Sequence, residues 1–391
     1  GKCKMIPLAV PNLTGNERKY LNQCIDTTFV SSVGEFVGKI EEMTAEKCGV
    51  KYGVATSSGT TGLHLALTAC GVDRDNLVII PTFTFIATAN AVSHCGAAPW
   101  LFDISSDSWT LDARQLEWEL KENTVWKNQK LVHKRTGKRI AAILPVYTLG
   151  NIPDMDKIRD LAQRYHLPLV ADAAAALGAE YKGKKLGELA DLTVISFNGN
   201  KTVTAGGGGM IVGNDEKMMK KLKHLSTTAR VTAEYDHDMV GFNYRMTNIQ
   251  AAVGCAQLER ADEFIEKKRK IREFYNQAFT GKPGISTFPI PDGVKSSCWF
   301  SGIILDDGNL EDIRILCQKL REKGIEGRSF WKPIHLQEPY KNAVKAQTLE
   351  VSSNLWGRIL TLPCSTGITD KELEYVVATI KEFSPAVCKT K

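Results

Sequence analysis

From Tyr52 onward, short apolar runs of strand character alternate with stretches of helical periodicity, and few folds accommodate that rhythm. Tyr52–Thr56 reads as a strand and Gly62–Cys70 as a helix. Leu77–Pro81 and Thr84–Cys95 repeat the pair, and Ile140–Val146 with Met155–His166 repeats it again. Further strands are expected at Leu167–Ala171, Leu192–Phe197 and Met210–Val212. Strands alternating with helices build a mostly parallel sheet covered on both faces. Two helices precede this region. The first runs to about Asp26 behind a capping-box pattern at Thr14–Glu17, and the second spans Glu35–Cys48. An irregular stretch around 230–248 ends the alternation, and a long helix is expected over Ile249–Phe279. Then come a strand at Cys298–Leu305, a helix at Leu310–Lys323, a strand at Arg358–Leu362 and a helix at Asp370–Phe383. The expected organisation is a large α/β domain over 1–250, N-terminal helices included. A smaller α+β domain over 251–391 is entered by the long helix. No internal repeat of 20–50 residues interrupts this reading.

Composition narrows the class further. The 391 residues include 50 basic and 44 acidic side chains, with both signs spread along the chain. Nucleic-acid binders concentrate basic charge and interleave it with aromatics, so no nucleic-acid partner is expected. The densest basic stretch, Lys127–Arg139, reads as a loop or hairpin before a strand, either solvated or touching an anionic substrate. No apolar run approaches the ~18 residues of a membrane span, and the start, GKCKMIPLAVPNLTG, has no signal-peptide core. Ten cysteines lie no closer than 19 positions apart, so no CxxC pair suggests a metal or dithiol site. They read as reduced, mostly buried thiols of a cytoplasmic chain.

In open α/β sheets, ligands sit beyond the carboxyl ends of the parallel strands. The first such end carries Ser57-Ser58-Gly59-Thr60 ahead of a helix, where glycine lets backbone amides approach an anion such as phosphate. A GxGxxG turn is absent, and Gly199-Asn200-Lys201-Thr202 departs from the P-loop at Asn200. The second end carries Thr82-Phe83-Thr84-Phe85, an aromatic that either stacks on a planar ligand or packs in the core. The third runs from Leu169-Val170-Ala171 into Asp172. A buried carboxylate there is either the cap of an alanine helix (Ala173–Ala176) or the partner of a cation. The fourth leads from Ser196 through Asn198-Gly199-Asn200 to Lys201 and on to the glycine run Gly206–Gly209. Lys201 either packs against a flat ligand or is a surface lysine in a flexible loop. Taken together, a phosphate turn, a stacking aromatic, a buried carboxylate and a lysine are what pyridoxal 5′-phosphate (PLP) requires. The lysine would form the Schiff base, the aspartate would keep the pyridine nitrogen protonated, and Ser196 would help hold the phosphate.

At these residues the chain also resembles the DegT/DnrJ/EryC1/StrS sugar aminotransferases, a branch of the type I, aspartate-aminotransferase-like PLP fold. The similarity runs from IPLAVPNLTGNE to the C-terminal helix. It is carried by VSSVGEFV, ATSSGTTGLHLAL, TFTFIATANAV, ADAAAALGA, SFNGNKTVTAGGGGMIV, GFNYRMTNIQAAVGCAQLE and WKPIHLQEPY. The resemblance implies that Lys201 is the Schiff-base lysine, Asp172 the pyridine-nitrogen partner and Phe85 the stacking ring. Ser58, Gly59, Thr60 and Ser196 would hold the phosphate. It further implies that Asn243 and Arg245 reach the cofactor of a neighbouring subunit, which makes a homodimer with shared active sites. Ser31, Ser32 and His335 would line a sugar-nucleotide pocket or serve as ordinary loop residues.

One position departs from the family. Three residues after the aspartate, where Gln, His or Glu usually contacts or covers the cofactor, this chain has Ala175. The intact Lys201 disfavours the dehydratase offshoots, which carry histidine there. Within the family, the opening block and TGKRIAAILPVYTLGNIPDMDKI look most like enzymes that pass the amino group of L-glutamate to C4 of nucleotide-linked 4-keto-6-deoxy sugars. Those of bacillosamine and legionaminic-acid routes, acting on UDP-2-acetamido sugars, are most alike, with GDP-perosamine-type enzymes next. A 3-ketosugar aminotransferase, or a PLP-binding relative without turnover, is the remaining alternative. No metal is expected.

Overall fold

The structure is a computed structural model that describes residues 4–387. Seven strands in chain order form its main sheet: β1 (Tyr52–Thr56), β2 (Leu77–Pro81), β3 (Ala98–Phe102), β4 (Ile140–Ile143), β5 (Val170–Asp172), β6 (Leu192–Ser196) and β7 (Gly209–Gly213). Their spatial order is β1-β7-β6-β5, then β4-β2-β3. The two halves are joined by parallel bridges from Ile143 to Leu169 and from Val146 to Asp172. Only β7 runs against its neighbours. Strands such as β2, LVIIP, are buried at every position, as expected where helices cover both faces. The outer edge, β3, is capped by a short parallel strand from far along the chain, Val344–Lys345. The fold is the mixed α/β architecture read from the sequence.

A second, antiparallel sheet joins Ile285–Thr287, Ser301–Leu305, Ile359–Leu362 and Arg328–Ser329. The helices Ala261–Phe279, Leu310–Glu322 and Asp370–Val387 surround it. The basic stretch forms the expected hairpin, Thr124–Lys127 against Lys130–His133. The eight cysteines within the described residues are free thiols, and Cys3 and Cys388 lie outside them. Among the described residues no helix is long and apolar enough to cross a membrane.

Three local expectations fail for identifiable reasons. The helix expected over Ile249–Phe279 is two helices, Asn248–Leu258 and Ala261–Phe279. At the break, Glu259 accepts hydrogen bonds from Asn16 and Tyr20, and Arg260 donates to Asn12, Thr14 and Glu263. The same contacts dismantle the capping box. Thr14 is occupied by Asn12 and Arg260, Glu17 is buried against Gln257, and the first helix, α1 (Glu17–Thr27), starts behind Asn16 instead, ahead of α2 (Glu35–Lys47). Finally, Ala173–Gly178 forms turns rather than an alanine helix, so Asp172 caps nothing. Strand β3, whose Pro99 argues against a strand, and the helices Ala113–Asn123 and Glu216–Ser226 are additional to the elements expected from the sequence.

Candidate active site

Four strand ends converge on a cavity of about 550 Å³, a size suited to a cofactor with part of a substrate. Behind β1, helix α3 (Gly59–Ala69) opens on a capping box. The Ser58 hydroxyl accepts from the Thr61 N–H at 3.0 Å, and the Thr61 hydroxyl accepts from the Ser58 N–H at 3.0 Å. Gly59 and Thr60 keep first-turn amides with no partner in the helix, which is the electrostatic environment an anion seeks. Glycine is required here by close approach. A Cβ on Gly59 would lie 3.1 Å from that of Ser196, and one on Gly209 would lie 2.5 Å from the Ser58 carbonyl oxygen.

Behind β2, helix α4 (Ile86–His94) begins at Phe85. Phe85 is 55% exposed and lines the cavity, so it offers a ring face to a ligand. The neighbouring Phe83 is the core aromatic. At the end of β5, Asp172 is 5% exposed. The Thr88 hydroxyl donates to one carboxylate oxygen at 2.7 Å and the Ala174 N–H to the other at 3.1 Å. Thr84 and Thr88 hydroxyls are 2.8 Å apart, continuing the chain. Burial raises the Asp172 pKa, while Thr88, the Ala174 amide and Lys201 oppose the rise. A buried acid in this setting is suited to a cationic partner in the cavity.

Lys201 follows β6, its backbone N–H donating to the Asn198 carbonyl at 3.1 Å. Burial lowers its pKa from 10.5 to about 8, partly offset by Asp172. Its amine stands 3.8 Å from the centroid of the Trp299 ring. A partly buried lysine whose pKa is lowered by desolvation can serve as a nucleophile and proton carrier near neutral pH. It is not a solvated surface group.

Eight of the expected site residues, Ser58, Gly59, Thr60, Phe85, Asp172, Ala175, Ser196 and Lys201, line this one cavity. Their donor set fits PLP: orphan amides for a phosphate, an open aromatic face for a ring, a buried carboxylate for a pyridinium and a lysine for an aldehyde. The other five do not line it. Asn243 and Arg245 are exposed, and Arg245 Nε donates to Asn243 Oδ1 at 2.9 Å. Ser31 and Ser32 precede the helix Glu35–Lys47, where the Ser31 carbonyl accepts from the Asn248 N–H. His335 lies behind the cavity wall, its Nδ1 2.7 Å from the Thr82 hydroxyl and its Nε2 3.0 Å from that of Ser353. Thr88 and Trp299 were not anticipated. Thr88 could have been found as the residue one helical turn beyond Phe85 on α4, whereas nothing local marks Trp299. Among the described residues no cluster of three or more His, Cys, Asp or Glu could hold a metal ion.

A profile of the DegT/DnrJ/EryC1/StrS aminotransferase family matches residues 11–381. The chain belongs to that family. It is a PLP-dependent sugar aminotransferase of the nucleotide-sugar class, and its cofactor is pyridoxal 5′-phosphate. Among relatives, it is 38% identical to a GDP-perosamine synthase of Caulobacter vibrioides, covering 96% of this chain and 98% of that one. It is 34% identical to a UDP-4-amino-4,6-dideoxy-N-acetyl-beta-L-altrosamine transaminase of Campylobacter jejuni, covering 89% of each. Among solved structures, a putative sugar aminotransferase from Streptococcus pneumoniae in its PLP-form superposes with a TM-score of 0.88 at 25% identity. That match covers 98% of this chain and 99% of that one.

Proposed function

We propose that this aminotransferase transfers the amino group of L-glutamate to C4 of a nucleotide-linked 4-keto-6-deoxyhexose, in the cytoplasm, for the synthesis of surface-glycan sugars. The observation that carries the reading is that Lys201 and Asp172 line one cavity, the amine with a lowered pKa and the carboxylate buried. When bound, PLP supplies an electron sink for the carbanion formed at the amino-bearing carbon. Asp172 presents negative charge to the pyridine nitrogen, Phe85 covers a ring face, and the Gly59 and Thr60 amides with Ser196 hold the phosphate. Lys201 Nζ is the only side-chain base proposed to move a proton, first from glutamate and then, in reverse, to the sugar carbon. One amine is thus carried between two substrates that never meet, which demands ping-pong kinetics. The exposed Asn243 and Arg245 fit the reading that each subunit completes its neighbour's site in a homodimer, and Ser31, Ser32 and His335 are proposed for the sugar nucleotide.

Two substrates divide this reading. The sequence blocks favour a UDP-linked 2-acetamido-2,6-dideoxy-4-ketohexose. The 38% identity to a GDP-perosamine synthase favours a GDP-linked 4-keto-6-deoxyhexose as the second. Purified enzyme supplied with PLP, glutamate and each ketosugar in turn is expected to release 2-oxoglutarate with one and not the other. No release with either, from protein that has bound PLP, would overturn the proposal. Lys201→Ala is expected to end turnover, and undiminished turnover would remove the lysine from its role.

A further inference from the structure

Behind the amine of Lys201 lies a side chain with two separate holds on the lysine loop. Trp299 donates its indole Nε1–H to the carbonyl of Asn200 at 2.9 Å, fixing the peptide immediately before Lys201. Its ring then faces the lysine amine at 3.8 Å from the centroid. Trp299 is itself locked in place. Its ring stacks on Phe300 with centroids 3.8 Å apart and planes at 17°, its backbone N–H donates to the Leu149 carbonyl at 3.0 Å, and it is 3% exposed.

We propose that Trp299 is the positioning residue for Lys201: it sets the height of the loop through Asn200 and holds the released amine over the cofactor pocket through its ring face. The inference rests on Lys201 being the reacting lysine. A lysine that leaves the cofactor and returns in each half-reaction needs a defined resting place, because a long side chain otherwise spreads over many rotamers. A second acid beside it, added to Asp172, would serve that purpose only by holding the proton too firmly. A ring face attracts the ammonium more weakly and leaves no competing base. Asp172 and the ring are the two groups facing the amine that favour its charge, against burial that disfavours it.

The experiment compares Trp299→Phe, which keeps a ring face and loses the N–H, with Trp299→Met, which fills the space and loses both. The pH dependence of Lys201 acetylation by acetic anhydride in the full-length, cofactor-free chain is read by peptide mass spectrometry. In Trp299→Met the midpoint is expected to fall by roughly half to one and a half pH units as the cation loses its ring. In the PLP-loaded enzyme, its kcat is expected to fall at least about tenfold with the KM for glutamate within about twofold. Trp299→Phe is expected to keep its midpoint within about 0.3 unit and lose kcat about threefold to tenfold. A Met variant with wild-type midpoint and kcat, or a Phe variant shifted as far as the Met variant, overturns the inference. Should the Met variant not fold, a Phe variant with wild-type kcat does the same. Lys201→Ala with undiminished turnover would instead sink the underlying assignment, which separates the two failures.

Discussion

Asp172 combines two opposed demands in one side chain. Its pKa is raised by burial above the 3.8 of an exposed aspartate. A group raised on folding stabilises the native state below its unfolded pKa and loses that contribution as pH rises through the folded value. Above that folded value the ionised carboxylate therefore costs the cofactor-free protein stability, which a bound pyridinium would return. Asp172→Asn keeps a side chain that can meet Thr88 and the Ala174 amide but removes the charge. It is expected to raise the melting temperature of the cofactor-free protein above the pH at which the wild-type carboxyl ionises, while weakening PLP binding at least about tenfold. Calorimetry and a PLP titration check both signs, and a lower melting temperature would contradict the account. Ala175 poses the complementary question, since it lines the cavity with only a methyl group where the family resemblance leads one to expect a longer polar side chain. Ala175→Gln is expected to slow PLP loss or raise turnover. Equal dialysis half-lives and rates would make the alanine neutral.

At the scale of elements, the anion cradle depends on how closely β7 approaches the start of α3. Gly209→Ala would set a methyl group 2.5 Å from the Ser58 carbonyl oxygen, and backbone cannot yield as a side-chain tip can. A cost of about 1–3 kcal/mol is expected, with weakened binding of inorganic phosphate to the cofactor-free protein. Denaturant melts and phosphate protection of the melting temperature measure the two effects. This scale also shows what the sequence made legible. Each of the four strand ends marked by hydrophobic rhythm sends residues to the cavity, among them Ser58, Phe85, Asp172 and Lys201, because in this architecture strand ends share one rim. Contacts between distant segments were not legible. Glu259 and Arg260 are good helix formers that stand at a break, where they bind residues 12–20 instead of continuing the helix. Trp299 meets Lys201 from 98 positions away, and its apolar neighbours read only as core.

At the scale of the whole molecule, the exposed segment carrying Asn243 and Arg245 allows the proposed sharing of sites to be tested by counting. If Arg245 serves the neighbouring subunit, mixing Lys201→Ala chains with Arg245→Ala chains at random yields hybrid dimers with one intact site each. About a quarter of all sites, and of wild-type activity, is then expected, against little in either parent. Activity no greater than the average of the parents would show that each chain works alone. A different consequence follows from the two residues, Val344 and Lys345, that pair with β3. While the chain is being made, that flank of the sheet stays bare from the moment β3 emerges until about 240 further residues have followed. At bacterial or eukaryotic elongation rates this is a wait of roughly 10–50 s. Throughout it, unpaired peptide groups beside Trp100 are open to any strand that comes near. Nascent chains crowded on one message are therefore the stage at which this protein is most exposed to clumping, and slowing translation upstream of residue 344 should lower its yield of native enzyme.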